Sequence, residues 1–163
     1  MPIDSAPRLS VQALFADRAA QRAREQEQEQ QLQRRQEEET AAFRKRLETF
    51  KVEPANIVAV TARIRRAFER GETELMLSSF PSSFCSDDGR AVNNPPINAP
   101  GPDEVPAWLG TMPAGVREVY AYWQRELAPG GFKFTARIIS FPGGMPGDVG
   151  LFFSWPKGPD EPA

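Results

Sequence analysis

From Leu9 to Phe50 the chain contains neither glycine nor proline, and between Phe15 and Leu32 it has no large apolar side chain. The middle of this stretch, QRAREQEQEQQLQRRQEEETAAFRKRLETF, consists largely of strong helix formers. It therefore reads as one long polar helix that contributes almost nothing to a core. Ser10 is placed to cap it, with Leu9 and Leu14 as a hydrophobic staple around the cap. A coiled coil needs an apolar residue every three or four positions, and the gap from Phe15 to Leu32 does not supply them. Phe43, Leu47 and Phe50 restore an apolar face at the far end. A helix of this kind is marginal in isolation, so its centre is expected to fray, and its ends to dock.

The core must then come from the rest of the 163 residues. Pro54 opens a second helix and Gly71 ends it, with Ile57, Val60, Ile64 and Phe68 on one stripe. ETELMLSSF alternates, Leu75 and Leu77 against Glu74, Met76 and Ser78, and predicts a strand over 74–80 that Pro81 stops. Residues 82–112 hold Pro95, Pro96, Pro100, Pro102 and Pro106 and read as an irregular loop, pinned at its end by Val105, Trp108 and Leu109. A third helix over 113–127, capped by Thr111, aligns Val116, Val119, Tyr120, Trp123 and Leu127. Two strands, 132–141 and 148–155, flank a turn of Pro142, Gly143, Gly144, Met145, Pro146 and Gly147 and form an antiparallel hairpin.

The expected fold class is α+β: a small, mostly antiparallel three-stranded sheet covered by two helices and preceded by the long polar helix. The expected organisation is a disordered start over 1–8 and a helical arm over 9–42, followed by a compact domain over 43–156 with its Pro-rich loop at 82–112. A disordered tail over 157–163 completes it. On the hairpin, Phe132, Phe134, Ala136 and Ile138 share the helix-covered face with Val149, Leu151, Phe153 and Trp155. The opposite face takes Lys133, Thr135, Arg137, Ile139, Phe141, Phe152 and Ser154, with Met76 and Phe80 from the first strand. Half of that face is apolar, which calls for a cover.

Composition narrows the chemistry. The chain has no histidine, which removes histidine-dependent nucleophilic catalysis, histidine metal sites and histidine pH switching together. The lone Cys85 cannot form an internal disulfide or build a cysteine zinc site. Its neighbours Asp87 and Asp88 oppose a thiolate, so it is not a candidate nucleophile. Asp87, Asp88, Asp103, Glu104 and Asp148 lack the alternating spacing of a calcium loop. The glycines at 143, 144 and 147 lead into a strand rather than a helix and lack a phosphate-loop lysine, so they read as turn residues. No catalytic, cofactor or metal residue is assigned. MPIDSAPRLSVQALF does not have the pattern of a secretory leader and no apolar run is long enough to span a membrane, so a cytoplasmic location is expected.

The segments ARIISFPGGMPGDVGLFFSWP and LMLSSFPSSFCSDDGRAVNN resemble stretches of small uncharacterised bacterial proteins; the resemblance implies no activity, fold or ligand. The functional expectation therefore rests on surfaces. It is a non-enzymatic interaction or accessory protein that self-associates or binds a protein partner. The expected contacts are Leu9, Leu14 and Phe15 on the arm and Ile139, Phe141, Met145 and Phe152 on the sheet. The alternative is a nucleic-acid-associated regulator using Arg63, Arg66 and Arg70, with the Arg44–Lys51 cluster upstream. The net charge of −2 gives that alternative no general electrostatic support. An enzyme with a carboxylate-lined pocket near 82–112 is a third class.

Overall fold

The structure is a computed structural model and describes residues 8–95 and 104–159. The expected disorder at 1–7 and 160–163, and the 96–103 part of the Pro-rich loop with Asp103, lie outside the described residues. The chain divides into two compact units, Met1–Phe43 and Arg44–Ala163.

The first unit is helical. Helix α1 runs over Val11–Thr49 without interruption through its polar centre, and none of its residues is buried. Ser10 caps it: the Ala13 amide donates to the Ser10 hydroxyl at 3.0 Å. The hydrophobic staple does not close, since Leu9 stays 82% exposed.

The second unit is α+β. Among its described residues a three-stranded antiparallel sheet has the order β1-β3-β2, formed by β1 (Glu74–Pro81), β2 (Lys133–Ile138) and β3 (Asp148–Ser154). Two helices lie on one face of it, α2 (Pro54–Glu69) and α4 (Ala114–Tyr122). Proline at the start of α2 and the Asn56 side chain accepting the Glu53 amide at 2.9 Å fix its entry. Its exit is a Schellman turn: Gly71, at φ 80, donates to Phe68 O, and Glu72 donates to Ala67 O. The buried stripe of α2 is Ile64 and Ala67; Phe68, expected inside, is 56% exposed.

The first strand departs from simple alternation. Met76 pairs with Phe152 and Ser78 with Leu151, so Leu77 is an extra residue in a β-bulge. Because side-chain direction has a period of two, one inserted residue moves everything after it to the other face. Phe80, expected on the open face, therefore turns to the core side opposite Val149 and is 1% exposed. Arg63 of α2 reaches the bulge and donates to Met76 O at 2.9 Å.

The 82–112 segment is more structured than its prolines suggest. It contains short 3₁₀ turns at Ser82–Phe84 and Ala107–Thr111 and a single helical turn, α3 (Arg90–Asn93). Phe84, Val92, Trp108, Leu109 and Met112 are all buried, while Val105 is 63% exposed. Helix α4 is not capped by Thr111, whose hydroxyl donates to Trp108 O at 2.7 Å. Instead, Glu48 supplies the cap, accepting the Ala114 amide at 3.0 Å. The helix is also shorter than expected, because Trp123–Leu127 continues as a π turn and Ala128–Gly130 as a 3₁₀ turn. An aromatic cluster fills the core at this end: the ring of Phe134 lies 5.3 Å from that of Phe153, 5.7 Å from Trp108 and 6.1 Å from Tyr120.

Candidate interaction surfaces

The first surface belongs to the Met1–Phe43 unit. Val11, Leu14 and Phe15 stand three and four residues apart, which places them on one face of α1. They are 63%, 49% and 59% exposed. Arg18, one turn further along the same face, holds its guanidinium 5.9 Å from the Phe15 ring. Val11 was not among the expected contacts; its spacing from Leu14 is the signal that identifies it.

The second surface lies at the hairpin end of the other unit. The turn is closely determined. Gly144 donates to Phe141 O at 3.1 Å, Met145 to Pro142 O at 3.2 Å and Gly147 to Ser140 O at 2.8 Å. Gly143 and Gly144 adopt φ of 60° and 80°, which explains glycine at both positions. Ser82 clips the far side of the turn, its amide donating to Gly147 O and its hydroxyl to Pro146 O. Ile139, Phe141 and Met145 are 41%, 54% and 69% exposed on this stiff scaffold.

Phe152 does not join them. It is 5% exposed. Its ring lies over Gly150, where an added Cβ would meet the ring at 2.7 Å and Ile139 Cγ2 at 2.9 Å. The guanidinium of Arg137 covers the ring, 3.7 Å from its centroid. Both ends of that guanidinium are gripped by Glu74 across the sheet, at 2.7 and 2.9 Å. The cover expected over the apolar half-face is thus the sheet's own arginine at this position. The Arg137 hydrogen bond holds the Glu74 carboxyl below the usual carboxylate range, against the opposing effect of burial.

The basic face of α2 is largely committed. Arg63 bonds Met76 O, and Arg70 grips Glu72 at 3.1 and 3.2 Å. Arg66 is exposed. Upstream, Lys51 pairs with Glu118 at 2.9 Å and Arg44 lies 5.5 Å over the Phe84 ring.

Of the groups considered for catalysis or metal binding, Cys85 and Asp87 have defined surroundings. Cys85 is 2% exposed and its sulfur lies 3.7 Å from Met112 Sδ. Burial pushes its thiol up to about 11, with Thr111 opposing and Asp87 and Asp88 adding to the rise. Asp87 accepts the amides of Gly89 and Ala91 at 3.0 and 2.8 Å, starting α3. Among the described residues no three cysteine or carboxylate side chains converge as a metal site would require. Among the same residues, no helix is long and apolar enough to cross a membrane.

Comparison with family models, with curated proteins and with solved structures finds no match. The architecture defines the class: an α+β domain with a three-stranded antiparallel sheet, preceded by a long polar helix.

Proposed function

We propose that this is a non-enzymatic interaction or accessory protein of the cytoplasm that self-associates through the N-terminal end of α1. The observation that supports this is the exposed Val11, Leu14 and Phe15 face on a helix that buries no residue. Apolar residues on an otherwise polar helix gain by pairing with a like face, and a two-fold arrangement lets the same patch serve both copies. The exposed Ile139, Phe141 and Met145 offer a second contact of the same kind, smaller than the sequence suggested because Phe152 is covered. The inaccessible Cys85 thiol accords with a role that involves no thiol chemistry. The nucleic-acid reading is the weaker one, since Arg70 is paired with Glu72 and the net charge of −2 gives no basic excess.

Light scattering on the full chain tests the reading. The full chain should give a mass above that of the monomer. Deleting residues 1–40, or introducing L14E with F15E, should return it to the monomer mass with an unchanged circular dichroism signal from the α+β unit. A full chain that is monomeric at high micromolar concentration refutes self-association through α1.

A further inference from the structure

Within the Arg44–Ala163 unit, the helix-covered side of the sheet holds an open cleft of about 330 Å³. Leu77 and Phe153 of the sheet, Val60 of α2, Val119 of α4 and Phe50 are among the residues that line it. It opens to solvent, as a groove between the two helices.

Both walls of the groove are anchored. Helix α2 is fixed through its C-terminal half, where Ile64 and Ala67 are buried and Arg63 bonds Met76 O. The start of α4 is fixed from another direction, by the Glu48 cap on Ala114 and the Lys51–Glu118 pair. Gly115 locks that junction: an added Cβ would collide with Leu47 O and meet Phe50 Cβ at 2.7 Å. Val60, on the cleft side of α2, stays only half-buried.

The lining also selects an occupant. Nearly all of it is apolar, and Arg63 is the one charged side chain on it. Arg63 is exposed and directs one Nη at Met76 O; a guanidinium has five donors in a planar fork suited to a carboxylate. No acidic side chain lines the cleft to compete for it. The volume falls at the lower end of the ~300–1,000 Å³ typical of small-molecule sites, and a helix about 10 Å across would not fit.

We propose that this cleft binds a small apolar carboxylate, with its hydrocarbon body between Val60 and Val119 over Phe153 and its head group on Arg63. The proposal is independent of self-association through α1.

The test is calorimetric titration of the full chain with decanoate, and in parallel with decan-1-ol, which has the same chain length but no charge. Decanoate should saturate a single site and bind about tenfold or more tightly than the alcohol, as a charge-assisted pair implies. Val119→Trp, which fills the cleft, should abolish binding of both. Arg63→Ala should lower decanoate to the level of the alcohol, and Arg63→Lys should restore part of the difference. Because Arg63→Ala also removes the bond to Met76 O, continued binding of the alcohol reports that the cleft itself survives. Absence of saturable decanoate binding overturns the proposal, as does decanoate binding that persists in Val119→Trp. An unchanged preference for the carboxylate in Arg63→Ala overturns the role of Arg63. If decanoate does not bind and Val119→Trp instead lowers the mass in solution, the cleft is a contact between copies and the proposal fails.

Discussion

Replacing Arg137 with alanine separates the contributions that close the open face of the sheet. Three interactions are lost together. The bidentate pair with Glu74 is half-exposed, the two side chains retaining 50% and 44% of their accessible surface, so it contributes only about 0.2–1 kcal/mol. The guanidinium over Phe152 adds about 0.5–1 kcal/mol, more if the contact is dry. Phe152 also loses its cover: exposing about 40 Å² of ring costs about 1 kcal/mol at 25 cal/mol per Å². The expected total for Arg137→Ala is therefore about 2–3 kcal/mol, read from urea unfolding followed by far-UV circular dichroism. Glu74→Gln removes only the first contribution and should cost less than about 1 kcal/mol. A double-mutant cycle of Arg137→Ala with Phe152→Leu should give a coupling of about 1 kcal/mol. If Arg137→Ala costs no more than Glu74→Gln, the arginine does not cover the ring and the reasoning is wrong.

The same clasp has a pH signature. The Glu74 carboxyl is held below its ordinary value of 4.5, chiefly by the Arg137 hydrogen bond. A carboxyl whose value falls on folding stabilises the fold above the unfolded value and loses that contribution as pH drops through the folded one. Wild-type stability should therefore fall more steeply below about pH 4.5 than that of Glu74→Gln. Salt of about 1 M, where the screening length is near 3 Å, should weaken the ion pair but leave the covering of Phe152 largely in place.

Three further substitutions probe other joints of the second unit. Gly150→Ala places a methyl 2.7 Å from the Phe152 ring and 2.9 Å from Ile139 Cγ2, and should cost about 1–3 kcal/mol in urea unfolding; a neutral result would show that the ring does not lie over Gly150. Glu48→Ala removes the cap on the Ala114 amide and should cost about 1 kcal/mol, with Glu48→Gln recovering part of it; equal losses for both would place the cap elsewhere. The Cys85 thiol, buried and pushed up to about 11, should resist Ellman's reagent at pH 8 until denaturant is added, and stoichiometric labelling of the native protein would contradict its placement. Because its value rises from 9.0 on folding, the neutral thiol favours the fold below that value, and the benefit disappears as pH rises toward 11.

The features legible in the sequence are those whose causes are local. Ser10 caps α1, Pro54 and Gly71 bracket α2, and the glycines of the hairpin turn take positive φ, because each depends on neighbours a few residues away. Alternation over 132–141 and 148–155 put Phe134 and Phe153 on one face and Thr135 and Phe152 on the other for the same reason; the register itself, Phe134 opposite Phe153, comes from the structure. The cap of α4 was misassigned because its donor and acceptor, Ala114 and Glu48, are 66 residues apart. No spacing rule favours Glu48 over the nearby Thr111.

The largest departure comes from a single residue whose effect depends on a distant strand. Leu75 and Leu77 alternate as an unbroken strand would, and nothing between Glu74 and Pro81 marks Leu77 as extra. The bulge exists because β3 lies beside β1, and it lets Phe80 reach the core at Val149 while Met76 remains opposite Phe152 on the open face. The strand order that permits it also places β3 between Glu74 and Arg137, so their ion pair has to cross Phe152. Thus two facts absent from local pattern, the bulge at Leu77 and the position of β3 between β1 and β2, account for the two corrections. The first removes Phe80 from the expected binding face and the second covers Phe152 on it, leaving Met76 partly exposed there and Ile139, Phe141 and Met145 exposed at the hairpin end.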